Sequence, residues 1–341
     1  MQRALHTSLA VFTAVGVANA TLVSPPIAAH AADEVDSEGL IAYAAAPSSE
    51  TNPTRLPQIR FAYGSEPDKS WTFQNFDRND HSGADVHGLT LSNDGSRVAY
   101  VVENNKGTYL QVRNTVTNDL AYNKKVMKNG EYGTIPKVYD ISADGERLLT
   151  KTCIYETDDE TCSDSLVDVD DGKSQKVPTL ASDDSIVGFS QSGEDVVLQR
   201  TNVADGPIDA VDLTDSTSTT VVPSESGVYR SPGDVSADGS LVFEQWQGDG
   251  SAKVQLRSVK VDGTGEGALL KTNTDWNARL SPSGKEALFV RDSEAPTTNH
   301  DDPGPYDVML GERDGSGAKT LFPAINSDQW DWSADPGVKK S

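Results

Sequence analysis

Only two cysteines, three methionines and five histidines occur among the 341 residues. A cysteine-dense disulfide scaffold or multi-cysteine zinc domain is excluded by that scarcity. No run of lysine and arginine stands anywhere in the chain, and 52 acidic against 29 basic side chains leave a formal charge of −23. A surface of that sign repels nucleic acids and anionic membranes, so no nucleic-acid partner is expected. G-x-S-x-G, H-E-x-x-H, the P-loop pattern and a G-x-G-x-x-G ahead of a helix are also missing. Their absence removes nucleophile-elbow hydrolases, zincin metalloproteases and the common nucleotide-binding folds. With 36% apolar residues, the chain suits many half-buried strands around one sizeable core.

The first residues read as an export signal. Residues 1–6 carry Arg3 and no acid, residues 9–23 form an apolar stretch of small residues, and Ala29-His30-Ala31 fits the small-x-small cleavage rule. A signal peptide over residues 1–31, cut after Ala31, is therefore expected. A membrane anchor is the competing expectation, but Asn19, Thr21 and Pro25-Pro26 interrupt a stretch already short of the roughly 20 apolar residues a bilayer helix needs. No membrane span is expected. Residues 32–56, rich in Ala, Ser, Glu and Pro without periodicity, read as a flexible leader. The mature protein is expected outside the cell or in its envelope.

Cys153 and Cys162 flank an acidic segment, residues 156–161, between two β-like runs. A hairpin turning at Thr157-Asp158 sets the two sulfurs opposite one another, and a disulfide is expected, in keeping with export. A redox pair or metal site fits less well, because the spacing is not C-x-x-C and no histidine lies near.

One phrase recurs through the rest of the chain: an apolar residue, Ser, any residue, Asp or Ser, then Gly, followed by a β-rich run. It reads Leu91-Ser92-Asn93-Asp94-Gly95, Ile141-Ser142-Ala143-Asp144-Gly145, Phe189-Ser190-Gln191-Ser192-Gly193, Val235-Ser236-Ala237-Asp238-Gly239 and Leu280-Ser281-Pro282-Ser283-Gly284. Trp332-Ser333-Ala334-Asp335-Pro336 is a sixth, imperfect copy. The serines are 50, 48, 46, 45 and 52 residues apart, the length of four short strands with their turns. Each phrase makes a tight turn between an incoming and an outgoing strand. Asp171-Gly172, Asp262-Gly263 and Asp314-Gly315 mark further turns toward short outer strands.

The expected fold is all-β: a six-bladed β-propeller of four-stranded antiparallel blades over residues 57–341. The sixth phrase ends near the C-terminus without room for later strands, while Gln58 to Gly64 and Ser70 to Asn75 precede the first phrase unclaimed. Pairing of N- and C-terminal strands in one shared blade would close the ring and protect its edges.

The Ser-x-Asp-Gly turn, the β run behind it and the Asp-Gly turn before an outer strand resemble the WD40-like repeats of TolB-type propellers. Trp332-Ser333-Ala334-Asp335 and Ser281-Pro282-Ser283-Gly284-Lys285-Glu286-Ala287-Leu288-Phe289 are the best copies. Only the short leader stands where TolB carries an extra α/β domain. Propellers of this type also gate prolyl-oligopeptidase-like enzymes and form the body of some polysaccharide lyases, so the resemblance implies a fold and several activities.

Two groups of residues are candidates for a site. After export, His81, His87 and His300 are the only histidines, and they fall on connections that emerge on one face of the ring. Asp301, Asp302 and the hairpin residues Asp158 and Asp159 belong to the same expected ligand face; unrelated solvated loops are the alternative. The second group follows from strand register. One step back from each repeat serine the residues are apolar, and two steps back they are Thr90, Asp140, Gly188, Asp234, Arg279 and Asp331. Alternation sends the apolar set between blades and the other set toward the axis. Asp140, Asp234 and Asp331 would then meet from alternate blades, either binding Ca²⁺ through oxygens or balanced by Arg279 and backbone groups.

The function expected is that of a secreted, monomeric, non-catalytic interaction module presenting a loop face to a protein, peptide or cell-wall carbohydrate. An extracellular lyase or hydrolase acting on carbohydrate or lactone substrates, with a metal on the histidine face, is the alternative. No cofactor is certain, Ca²⁺ being the one candidate.

Overall fold

The structure, a computed structural model, describes residues 39–45, 58–76, 85–104, 106–128, 133–156, 159–177, 184–200, 206–247, 255–270, 275–292, 306–325 and 330–337. The expected signal peptide lies outside the described residues. All of the described ones belong to one compact unit, Glu34–Ser341, and no helix among them is long and apolar enough to cross a membrane.

Six four-stranded antiparallel sheets form the blades. The shared blade, counted as the sixth, takes β1 (Leu40–Ala45), β2 (Gln58–Tyr63) and β3 (Glu66–Asn75) from the N-terminal side. Blade one is β4 (Asp85–Leu91), β5 (Arg97–Asn104), β6 (Gly107–Asn114) and β7 (Leu120–Lys128). Blade two is β8 (Gly133–Ile141), β9 (Arg147–Glu156), β10 (Asp159–Asp168) and β11 (Ser174–Lys176). Blade three is β12 (Ser185–Phe189), β13 (Asp195–Gln199), β14 (Ile208–Asp212) and β15 (Ser218–Val222). Blade four is β16 (Val228–Val235), β17 (Ser240–Gln247), β18 (Gln255–Lys260) and β19 (Gly267–Ala268). Blade five is β20 (Asp275–Leu280), β21 (Glu286–Asp292), β22 (Tyr306–Glu312) and β23 (Lys319–Ile325). The last strand, β24 (Trp330–Ser333), returns to pair with β1 as the innermost strand of blade six. Each inner strand touches that of the next blade, and β24 touches β4, so the ring is closed.

The repeated phrase earns its place at the inner hairpins. In blade one the Ser92 hydroxyl accepts a hydrogen bond from Arg97 N–H at 3.0 Å and donates to Asp94 Oδ1 at 2.6 Å. Asp94 Oδ1 in turn accepts from Ser96 N–H at 2.9 Å. Ser142, Asp144, Glu146 and Arg147 repeat this set in blade two. The glycines close the turns with φ of 70° to 78°, a backbone region that only glycine enters without strain. All six repeat serines are buried, and in the first five losing the hydroxyl would take away the partner of an N–H group.

The core is divided among the blade interfaces. Six apolar clusters each join the facing sheets of two neighbouring blades, for example Val101, Leu110 and Val138 between blades one and two. The apolar repeat positions sit in these wedges, as expected from register.

One boundary has to be corrected. Leu40–Ala45 lies within the stretch expected to be a flexible leader, yet it is the second strand of the closing blade, paired with β24 on one side and β2 on the other. Leu40, Ala42 and Ala44 pack toward blade one, while Ile41 and Tyr43 pack toward blade five. A strand covered on both faces carries apolar residues at every position, so it lacks the alternation that marks a half-exposed strand. Strands β2 and β3 appear where the unclaimed runs placed them.

The disulfide forms as expected: Cys153 and Cys162 are direct cross-strand partners, with Cα atoms 4.0 Å apart, and Glu156 faces Asp159 across the turn.

Two measurements follow. Leu40→Ala, which empties a fully buried site, should lower unfolding free energy by about 2–5 kcal/mol in urea titration; an unchanged midpoint would remove β1 from the ring. Cys153→Ser with Cys162→Ser should cost about 2–3 kcal/mol by chain entropy, read in the same titration.

Candidate functional site

The axis of the ring is built from a backbone irregularity. In blades one to five the pairing of the inner strand with its neighbour shifts register, between His87 and Thr90, Val138 and Asp140, Ile186 and Gly188, Pro232 and Asp234, and Trp276 and Arg279. Such bulges re-aim the next residue's groups away from the ladder. The N–H of the residue before each repeat serine then needs a partner, and three carboxylates supply most of them.

Asp331 Oδ2 accepts from Leu91 N–H of blade one at 2.6 Å, and its Oδ1 accepts from its own neighbour Trp332 N–H at 2.8 Å. Asp140 does the same one third of a turn on, accepting from Ile141 N–H and from Phe189 N–H of blade three, both at 2.7 Å. Asp234 accepts from Val235 N–H, but its other partner is the Arg279 guanidinium of blade five. The sixth N–H, that of Leu280, is left to Ser236 Oγ at 2.9 Å. Thr90 completes the cluster, donating to Asp331 Oδ2 at 2.9 Å with Asp140 Oδ1 3.4 Å away. Gly188 is required here by space: a Cβ would lie 2.7 Å from Asp140 Oδ2.

Burial governs the charges. It pushes Asp140 well above the usual carboxylate range, and the neighbouring Asp234 charge adds to the shift. Asp234 is pushed up to about 6, again mainly by burial, with Arg279 opposing and Asp331 adding. Burial disfavours the Arg279 cation, but Asp234 and Asp331 outweigh it and hold the guanidinium charged. Arg279 also lies over the Trp330 ring, 5.6 Å from its centroid.

Register therefore does bring Asp140, Asp234 and Asp331 to the axis. Their oxygens are engaged by N–H groups, Thr90 and Arg279, whereas a hard cation needs about six to eight oxygen ligands. Among the described residues no group of three or more His, Cys, Asp or Glu is arranged to hold a metal ion.

A cavity of about 640 Å³ opens along this axis. His87 and Leu89 of blade one, Ile186 and Val187 of blade three, and Pro232 to Asp234 of blade four form part of its wall. Asn277 and Arg279 of blade five face it, and blade two adds Lys137, Tyr139, Lys151 and the disulfide. Blade two is long: β8, β9 and β10 have 9, 10 and 10 residues, against 5 each in β12, β13 and β14 next door. Lys137 stands opposite Lys151, and Lys151 opposite Asp164. Lys137 Nζ sits over the Tyr139 ring, 4.9 Å from its centroid. Burial raises the Tyr139 hydroxyl above its ordinary value, helped by its hydrogen bond to Asp164. Asp164 is itself raised by burial, with Lys151 the largest opposing influence.

Of the expected ligand-face residues, His87 lines the cavity. His81, His300, Asp301, Asp302 and Asp158 lie outside the described residues, and Asp159 is described only as the first residue of β10. Lys137, Tyr139 and Lys151 were not foreseen. Their spacing signals only a half-buried strand.

Protonation of the axial carboxylates links stability to pH. Asp140 and Asp234 bind protons more tightly folded than unfolded, so they favour the folded state below their unfolded value of about 4 and lose that contribution as pH rises through about 6 and beyond. The urea midpoint should be higher near pH 5.5 than near pH 7.5, and Asp140→Asn should shrink the difference. A midpoint that climbs across that interval would contradict the assignment. Gly188→Ala should cost about 1–3 kcal/mol by overpacking, read as a fall in the same midpoint.

The sequence matches no protein-family profile and no curated protein. Among solved structures, TolB from Acinetobacter baumannii superposes with a TM-score of 0.58 at 15% identity over 88% of this chain, which spans 66% of that protein. A putative TolB from Agrobacterium tumefaciens gives 0.52 at 17% identity, covering 87% of this chain and 97% of that one. An oligogalacturonate lyase from Vibrio parahaemolyticus gives 0.50 at 12% identity, covering 78% and 71%. At these identities the likeness is one of fold: this chain has the six-bladed β-propeller fold that the TolB structures also have.

Proposed function

We propose that the protein is an exported, monomeric binding module, without chemistry of its own, that seats part of a protein, peptide or cell-wall carbohydrate in the axial cavity. The observation that carries this is the cavity itself: about 640 Å³ walled by five blades, with the Asp140, Asp234, Asp331 and Arg279 cluster tying the inner strands together beside it. Concave sites of this volume with a few convergent polar groups are where ligands bind, and inner strands cross-linked by hydrogen bonds keep the shape ready before the ligand arrives. Export is supported by the signal-like first 31 residues and by the disulfide, which is favoured in oxidising compartments. A lyase or hydrolase is the second reading, supported by His87 on the cavity wall and by the fold shared with oligogalacturonate lyase.

Gly233 offers a way to close the cavity without disturbing the core, because it is exposed on the wall and a Cβ there meets only Val242 O at 3.4 Å. Binding of components from culture supernatant and cell-wall fractions should fall about tenfold or more in Gly233→Trp and remain in Thr219→Trp on the outer strand β15. Equal capture by Gly233→Trp would place the binding surface elsewhere. Turnover of a carbohydrate or lactone by the intact protein, abolished in His87→Ala, would favour the enzyme.

A further inference from the structure

The seam between blades three and four holds a buried guanidinium whose donors the fold leaves largely unused. Arg230 of β16 pairs with Gln245 of its own blade, and its carbonyl accepts from Gln199 Nε2 of blade three at 2.9 Å. Its side chain is only 5% exposed, yet Nε and Nη1 are buried without a hydrogen-bond partner. Its one ion pair runs from Nη2 to Glu225 Oε2 at 3.3 Å, and Glu225 is 65% exposed. Arg200, just after β13, shows the contrasting structural arrangement: Nε meets Asp209 at 3.2 Å and Nη1 meets Asp184 at 2.8 Å. Among the described residues no other side chain leaves two buried nitrogens without acceptors. Such burial costs free energy, and Val228, on the same face of β16, shows that the seam accepts an apolar side chain.

We infer that Arg230 anchors a ligand site at this seam that takes a carboxylate, and that Glu225 is the protein's own carboxylate, held there until a ligand displaces it. The site is separate from the axial cavity and does not rest on it, since Arg230 is not among the described residues that line that space. A guanidinium offers its donors as planar forks that match the two oxygens of a carboxylate. Its forks are Nε with Nη2 and Nη1 with Nη2. Both include Nη2, so a ligand bound by two oxygens takes the place of Glu225. Glu225 is suited to leave, because an ion pair with one partner in solvent is weak and residues 223–227 are exposed throughout. Its backbone stays where it is, Val228 N–H donating to Glu225 O at 3.0 Å around Gly227 with φ of 78°. Exchange therefore asks for rotation of one exposed side chain, while the tie from Gln199 holds the Arg230 backbone in place.

Titration of the full chain with acetate and separately with N-acetylalanine, at constant ionic strength in chloride, tests this by calorimetry and by the arginine Nε–H resonances. Saturable binding of at least one probe is expected, shifting the Nε–H signal that is missing from Arg230→Lys. N-acetylalanine binding tighter than acetate names a peptide end; otherwise the ligand is a free small carboxylate. Arg230→Lys, which keeps the charge and loses the fork, should weaken binding about tenfold or more, and Glu225→Gln should tighten it about threefold. Arg230→Met should abolish binding without lowering the urea midpoint, because apolar replacement of a buried ion pair is often neutral or stabilising. A lower midpoint would make Arg230 a structural residue and overturn the inference. So would no saturable binding of either probe, equal binding by Arg230→Lys, weaker binding by Glu225→Gln, or tighter binding of inorganic phosphate. Capture through the axial cavity, read with Gly233→Trp, stands or falls independently of these results.

Discussion

Six inner strands that converge on an axis bring backbone N–H groups into a space with little water, and each of those groups needs an acceptor. Three carboxylates serve five of the six at the repeat position, and Ser236 serves the last. The cost is electrostatic, because three buried acids close together cannot all remain charged. Arg279 supplies one compensating charge, and a raised proton affinity at Asp140 and Asp234 supplies the rest. That arrangement couples blades that share no β-ladder: Asp331 ties blade six to blade one, Asp140 ties two to three, and Asp234 ties four to five through Arg279.

The ties fall on alternate interfaces because only alternate blades carry the aspartate. At the intervening positions stand Thr90, Gly188 and Arg279, and each answers a neighbour. Thr90 donates to Asp331, Gly188 leaves room for Asp140, and Arg279 neutralises Asp234. Blade four differs in one further respect. Its repeat turn is a residue shorter, Ser236 N–H pairing with Ser240 O where Ser92 N–H pairs with Arg97 O, and this frees the Ser236 hydroxyl for Leu280.

Much of this architecture is legible before coordinates. The spacing of the Ser-x-Asp-Gly phrase sets the number of blades, because each copy must satisfy its own turn locally and the wedge between blades must repeat. The disulfide is legible for the same local reason, symmetry of two cysteines about a turn. Leu40–Ala45 is not, since burial on both faces erases its pattern. The three aspartates can be placed on the axis by counting back from the serines, but their partners cannot, because bulges are tertiary events without a sequence period. Lys137 and Lys151 are harder still: the sequence marks only the strands they stand on, and their place on the cavity wall comes from how five blades meet around the axis.

Closure puts a special load on the last strand. With four residues, β24 has a short ladder to β1, and the chain between them is almost the whole protein, so joining them carries a large loop-closure entropy. Its residues compensate by acting on every side at once. Trp330 and Trp332 are buried in the wedge against blade five, Asp331 holds two N–H groups and Thr90 at the axis, and Ala334 N–H reaches Asn93 O of blade one at 3.0 Å. A strand anchored in three directions stays docked without a long ladder. The axial cluster therefore closes the ring, and by fixing the inner strands it also fixes the cavity they surround.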